Sequence, residues 1–261
     1  MPKLENKLCI ITGAARGIGE AIAHAYLAEG ARVVVTDKDV KTGKALANEI
    51  GAEFFELDIA EEQHWGKLAK AYPAIDVLVN NAGVTGFEET IVPHDPEHAA
   101  LADWRAVHKV NTDGTFLGCR YAIRAMRDAG AGSIINISSR SGMVGIPAAG
   151  AYAASKAAIR NHTKTVALYC AQQGLNIRCN SVHPAAIMTP MWEPMLPADG
   201  EAREAAIKAL VKDTPLGRFG EPSEVAAICT LLASDEASYI TGTEFTIDGG
   251  ILAGSAAVPG S

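Results

Sequence analysis

Residues 8–19, LCIITGAARGIG, decide the fold. An apolar run without alternation enters a turn with glycine at positions 13, 17 and 19. Such a run is buried on both faces, as in a parallel sheet covered by helices. The turn needs residues without a β-carbon where the backbone bends sharply and where a phosphate must come close. A helix starting near Gly17 aims its free N–H groups and positive dipole end at such an anion. The spacing is Gly-x-x-x-Gly-x-Gly, and a glycine-rich turn alone can be a plain tight turn. Placed directly after the first strand of an alternating chain, it becomes a phosphate cradle.

That alternation continues outward. ARVVVTD (31–37), AEFFELD (52–58), IDVLVNNAG (75–83), GSIINISS (132–139), NIRCNSVHP (176–184) and TEFTIDGG (243–250) read as strands. Residues 17–30, 40–50, 61–72, 103–126, the stretch around 152 up to Gly174, and 223–234 read as helices between them. The pattern predicts a three-layer, doubly wound α/β domain with a parallel sheet and right-handed crossovers. No linker or repeat interrupts it, so residues 1–250 form one domain and 251–261 a C-terminal tail.

The totals exclude several function classes. With 261 residues, 48% hydrophobic and 20% charged, the chain is ordinary for a globular protein. A formal charge of −7 without a basic run argues against nucleic acid or an acidic membrane as partner. Neither a signal peptide nor an apolar stretch of roughly 20 residues is evident. Cys9, Cys119, Cys170, Cys179 and Cys229 are scattered and odd in number. They read as buried free thiols of a reducing, cytoplasmic protein. His94 and His98 have metal-like spacing in PHDPEHAA, yet nothing converges on them. A solvated loop and no metal are expected there, and Trp65 and Trp104 need only packing roles.

Two further features carry chemistry. Asp37 ends the second strand about 20 residues beyond the glycine turn, where a carboxylate accepts from an adenosine ribose diol. It would repel the 2′-phosphate of NADP, whereas Arg16 and Lys38 could each reach one. Asp37 is weighted more, which predicts NAD over NADP. In GAYAASKAAI (150–159), Tyr152 and Lys156 lie one helical turn apart on one face, with only small residues between them. A surface pair is the plain alternative. A tyrosine pKa near 10 must fall by about three units, roughly 4 kcal/mol, to serve at neutral pH. One positive charge about 4 Å away supplies roughly 4 kcal/mol at an effective dielectric near 20.

With the glycine turn, Asp37, NNAG (80–83) and YAASK (152–156) in order, the chain resembles the short-chain dehydrogenase/reductase family from about residue 8 to 250. The resemblance implies a Rossmann-type domain that binds a nicotinamide dinucleotide and moves hydride to or from a carbonyl carbon. It implies a cofactor site of Gly13, Arg16, Gly17, Ile18, Gly19, Asp37, Asp58, Ile59, Asn81, Ala82, Gly83, Tyr152, Lys156, Pro184, Ile187 and Thr189. It makes Tyr152 the general acid–base, Lys156 its partner, Ser139 the hydroxyl that bonds the substrate oxygen, and Asn111 the holder of a relay water. Ser138 and Ser141 are the one-place alternatives to Ser139. Asn111 reads otherwise as a kink or a satisfied buried amide, and His183, before Pro184, as a structural histidine. Ala185 stands where the family commonly has glycine, and loop 84–104 is longer than usual.

Met188, Met191 and Met195 fall within eight residues, beside Trp192. Thioethers and an indole make an adaptable apolar surface. By resemblance, residues 185–220 are a lid over the substrate, with Met143 on the opposite wall. Ser139, Met143, Tyr152, Met188, Met191 and Trp192 are therefore the expected substrate contacts. No basic residue occurs in AAIMTPMWEPMLP (185–197) to hold an anionic group. A bulky apolar secondary alcohol or ketone is expected, and the chain looks most like the hydroxysteroid and cyclic-alcohol branch. An NADPH-dependent 3-oxoacyl-carrier-protein reductase and a non-catalytic cofactor-binding scaffold or redox sensor are the rival readings. The resemblance also implies a homotetramer.

Overall fold

A computed structural model describes residues 2–88 and 92–254. Seven strands form one sheet: β1 (Leu8–Thr12), β2 (Arg32–Asp37), β3 (Glu53–Glu56), β4 (Val77–Asn80), β5 (Ala131–Ile137), β6 (Asn176–Pro184) and β7 (Glu244–Ile247). All neighbours pair in parallel, in the order β3-β2-β1-β4-β5-β6-β7. The order reverses at β1, which pairs Ile10 with Val34 on one side and with Leu78 on the other. Every carboxyl end therefore lies along one edge, and a crevice opens where the order reverses.

The helices are α1 (Gly17–Ala28), α2 (Val40–Ile50), α3 (Glu62–Ala71), α4 (Leu101–His108), α5 (Gly114–Met126), α6 (Gly150–Gln172), α7 (Gly200–Leu210) and α8 (Pro222–Ala233). Apolar residues of α1, α2 and α8, such as Ile22, Leu46 and Val225, pack on one sheet face. Those of α3, α5 and α6, such as Leu68, Ala122 and Val166, pack on the other. The three-layer doubly wound domain is as expected. Local signals set the ends: Asp39 caps α2 by accepting from the Thr42 N–H, and Gly51 closes it in the left-handed region at φ 74°.

The structure departs from the expectations in three places. The helix expected over 103–126 is interrupted by a π-helical turn, Lys109–Asp113, between α4 and α5, with Asn111 at its centre. Within 185–220 lies α7, a helix the sequence reading did not contain and none of whose residues is buried. His94 is not in a solvated loop: it is 3% exposed and its ring meets Phe87 edge-on at 4.6 Å. Its backbone oxygen accepts the Gly150 N–H that opens α6. His98 is exposed and paired with Asp95, and among the described residues no acidic, histidine or cysteine cluster could hold a metal. All five cysteines are buried free thiols. Among the described residues no helix is long and apolar enough to cross a membrane. Residues 255–261 of the expected tail and 89–91 of the long loop lie outside the described residues.

Packing at two helical glycines predicts opposite signs. A β-carbon on Gly118 in α5 would come within 2.1 Å of the Asn80 amide oxygen, whereas at Gly66 in α3 nothing lies within 4 Å. Gly118→Ala is expected to destabilise the fold by roughly 1–3 kcal/mol through overpacking. Gly66→Ala is expected to stabilise it by up to about 1 kcal/mol through helix propensity. Thermal melts of the two variants check the contrast.

Candidate active site

The carboxyl ends of β1 and β4 are lashed together. The Asn81 side-chain amide donates to the backbone oxygens of Thr12 and Gly13 at 2.9 and 3.0 Å. The N–H groups of Asn81 and Ala82 both donate to the Thr12 hydroxyl at 3.0 Å. The glycines divide the work. A β-carbon on Gly13, at φ 61°, would stand 2.6 Å from Ala82 Cα, and one on Gly19 would stand 2.5 Å from the Gly13 oxygen. Gly17, at φ 63°, instead has room, its nearest neighbour being Thr189 at 3.4 Å. Gly19 thus serves close packing, Gly17 backbone conformation, and Gly13 both. Asn81, expected beside a cofactor, has its side chain committed to the turn.

This crevice suits a dinucleotide. First-turn N–H groups of α1 lack intrahelical acceptors, and the Glu20 carboxylate already sits on one of them, accepting from Gly17 at 3.2 Å. Ile18 packs partly buried behind the turn. Asp37, at the end of β2, accepts from the N–H groups of Ala15 (3.2 Å) and Asp39 (2.9 Å), which places its carboxylate beside the turn. Arg16 is drawn away to Asp39 at 2.7 Å. Two bonds from Thr42 and the Arg16 charge hold the Asp39 carboxyl below its ordinary value. Asp58 accepts from the Ala60 N–H. The Ile59 side chain is buried against Gly114 of α5, and its carbonyl accepts from Trp65.

The reacting groups come from β5 and α6. Ser139 follows the end of β5 and Tyr152 and Lys156 stand one turn apart on α6. The Ser139 hydroxyl lies close enough to the Tyr152 phenol to lower its pKa. Ser138 turns its hydroxyl to the Lys156 carbonyl at 2.8 Å, and Ser141 donates its N–H to Ser139 Oγ at 3.1 Å. The Lys156 ammonium, 4% exposed, donates to the Ile137 carbonyl at 3.0 Å and lies 5.6 Å from the Tyr152 ring centre. Burial pulls its pKa down to about 8. The expected lowering of the tyrosine by this lysine is not what protein groups alone produce. Burial raises the phenol above its ordinary value, Ser139 opposes that, and Glu88 adds to it.

Asn111 is both a kink and a satisfied amide. It bonds both backbone groups of Val84 at 2.8 Å and donates to Ser155 Oγ at 3.0 Å. A β-carbon on Gly83 would stand 3.1 Å from Asn111 Oδ1 and 3.2 Å from Lys156 Nζ, so this glycine keeps open the gap the two groups share. Thr12 and Ser155, both central to these networks, were not singled out by sequence; a hydroxyl directly before the glycine turn was the available signal for Thr12.

The far wall is partly assembled. Met143 and Met188 are half-buried, and Met191 is exposed. Trp192 meets Phe219 edge-on at 5.2 Å. Ile187 pairs with Gly220, joining the two ends of segment 185–220, and Arg203 of α7 grips Glu193 at 2.8 Å. Ala185 causes no backbone strain, because Asn6 alone among the described non-glycine residues has positive φ.

A family model described as enoyl-(acyl carrier protein) reductase matches residues 13–252. The chain is 40% identical over 260 residues to an NADP-dependent (R)-specific alcohol dehydrogenase of Lentilactobacillus kefiri, covering 96% of this chain and 98% of that protein. It is 40% identical over 260 residues to a 3-alpha-(or 20-beta)-hydroxysteroid dehydrogenase of Mycobacterium tuberculosis, covering 97% and 92%. The solved structure of Thermoplasma acidophilum aldohexose dehydrogenase in ligand-free form matches with a TM-score of 0.87 at 33% identity, covering 100% of this chain and 99% of that chain. The chain belongs to the short-chain dehydrogenase/reductase family, as its motifs implied. It is an oxidoreductase of the nicotinamide-dependent kind, acting on CH–OH groups.

Burial of Lys156 sets a pH-dependent stability cost. Its pKa is about 8 in the fold against an ordinary 10.5. Between those values the unfolded chain binds the extra proton, so this group's contribution to stability rises with pH across that window. Lys156→Met is expected to melt at a higher temperature than the wild type at pH 7. The gap should close as pH rises from about 8 toward 10.5, which paired thermal melts across that range check.

Proposed function

We propose that the protein oxidises a bulky, apolar secondary alcohol, of cyclic-alcohol or hydroxysteroid type, or reduces the corresponding ketone, with NAD as cofactor. The observation that carries this reading is the convergence of Ser139, Tyr152 and Lys156 beside the glycine turn, at the point where the strand order reverses. The Gly13–Gly19 turn, Asp37, Asp58, residues 81–83, Pro184, Ile187 and Thr189 hold the dinucleotide. When bound, its nicotinamide ring accepts or returns the hydride at the substrate carbon.

The protein's own groups handle the proton. Ser139 donates its hydroxyl hydrogen to the substrate oxygen and stabilises the charge that develops there. Tyr152 removes the alcohol proton in oxidation and returns it in reduction. The buried Lys156 ammonium favours the tyrosinate, and Asn111 with Lys156 frames the gap through which a relay water reaches the lysine. Met143, Met188, Met191 and Trp192 supply the apolar wall, and residues 185–220 close over it as a lid. No cation lies within 185–197, which suits a neutral substrate. The mycobacterial relative's name, a hydroxysteroid dehydrogenase, points the same way.

NAD is favoured because the Asp37 carboxylate sits beside the turn while Arg16 is engaged by Asp39. The NADP-dependent Lentilactobacillus relative supports the opposite choice, with Lys38 the cation left to receive a 2′-phosphate. Exposed Phe116, Leu168 and Tyr169 on α5 and α6 suit a homotetramer joined through these helices. The five free thiols suit a reducing cytoplasm.

Turnover of cyclic and steroidal secondary alcohols with NAD⁺ and NADP⁺ in parallel tests substrate and cofactor together. Activity with NAD⁺ is expected, and Asp37→Asn should narrow the preference at least about tenfold, equivalent to 1.4 kcal/mol. A wild-type preference for NADP⁺ would overturn the Asp37 argument and favour the carrier-protein reductase. Tyr152→Phe is expected to lower kcat about 10²–10⁴-fold while dinucleotide binding persists. Unchanged turnover in that variant would remove Tyr152 from the chemistry.

A further inference from the structure

We infer that His183 is a positioning residue: its ring, held in one tautomer between Ser181 and Ser139, fixes the peptide that carries the Ser139 hydroxyl. This rests on the reading of Ser139 as the group that bonds the substrate oxygen. His183 lies in β6, one residue from its end, and is 0% exposed. Its Nδ1 is 3.1 Å from the Ser139 carbonyl oxygen, and its Nε2 is 2.8 Å from Ser181 Oγ. A carbonyl oxygen only accepts, so Nδ1 carries the hydrogen. Nε2 then presents a lone pair, and the Ser181 hydroxyl donates to it.

Burial of the ring lowers its pKa and so favours the neutral form; Arg160 and Lys156 of α6 push the same way, against the Ser139 carbonyl and Glu244 of β7. Facing a carbonyl that holds no proton, Nδ1 has no route for general acid–base work, and a holding role remains.

Ser139 needs holding because the sheet stops just before it. Strand β5 ends at Ile137, and the last bond of this edge runs from the Ser138 N–H to the Val182 oxygen at 2.8 Å. Pro184, next along β6 from His183, brings no N–H with which to continue the ladder. One carbonyl further along, the histidine ring supplies a donor to Ser139 instead, and the Gly142 N–H joins it on the same carbonyl oxygen at 2.9 Å. With its carbonyl gripped from two sides and its backbone extended, Ser139 has little freedom left. Its hydroxyl is thereby kept beside Tyr152, where a displacement of about 1 Å can cost on the order of 10²-fold in rate.

A double-mutant cycle tests the inference, using His183→Leu, Ser139→Ala and the pair, with kcat and the NAD⁺ dissociation constant measured for each. His183→Leu is expected to lower kcat about 10- to 100-fold and to leave NAD⁺ affinity within about twofold. The pair should be no slower than Ser139→Ala alone, because a residue acting only through Ser139 has nothing left to position. His183→Asn, whose amide can donate to the same carbonyl, should recover part of the loss. Losses that multiply in the pair, or wild-type kcat in His183→Leu, would overturn the positioning role. Wild-type kcat in Ser139→Ala would instead overturn the reading of Ser139 itself. Should His183→Leu not melt cooperatively, Ser181→Ala replaces it in the cycle: it frees Nε2 and so releases the tautomer, and its smaller loss must likewise vanish in the Ser139→Ala background.

Discussion

Everything in the crevice depends on one hydroxyl. Thr12 Oγ1 accepts the N–H groups of both Asn81 and Ala82, and it does so where β1 and β4 part company with the order of the chain. A parallel sheet delivers all its carboxyl ends to one edge but does not fix how far apart two of them stay beyond the last ladder bond. The threonine hydroxyl, together with the Asn81 amide on the Gly13 carbonyl, sets that separation. From there the distances propagate: Gly13 abuts Ala82, Gly83 faces Asn111 and Lys156, and Asn111 grips Val84 one residue further on.

The site is built from buried polar groups, each with partners. Lys156, Asn111, Ser139, Ser155 and His183 are all less than a tenth exposed, and their bonds run mainly to backbone carbonyls and N–H groups. Such networks hold a geometry tightly because leaving a member unpaired in a low-dielectric interior is costly. Lys156 is the exception in kind. It carries charge with only a carbonyl for company, so burial lowers its pKa. Strain of that sort at a working group is a common trade of stability for activity.

Much of this was legible in the sequence for a local reason. The glycine turn, the Tyr152–Lys156 spacing and the order of strands follow from neighbours within a few residues, where helix and strand periods are strict. The features that escaped are set at longer range. His94 is buried because Phe87 and the start of α6 fold over it, and nothing in PHDPEHAA encodes those contacts. Helix α7 buries no residue, and its apolar positions are mostly alanine, so the stripe by which core-facing helices are recognised is faint. The burial that raises the Tyr152 phenol also escaped, because a charge nearby can be read from spacing, whereas the depth of burial cannot.

The π-helical turn at Lys109–Asp113 has a consequence for how α4 and α5 are related. A π turn takes up one residue more than an α-helical turn while continuing the same rod. Since each α-helical residue advances about 100° around the axis, the extra residue rotates everything upstream by about that amount relative to everything downstream. Helix α5 can therefore seat Leu117, Tyr121 and Ala122 on the sheet, while α4, on the same rod, presents a different quadrant, with only Val107 buried. Asn111 sits in the slack between the two phases. Removing a single residue there would let the rod close into a uniform helix with one face throughout, and the amide would turn with it, out of reach of Val84.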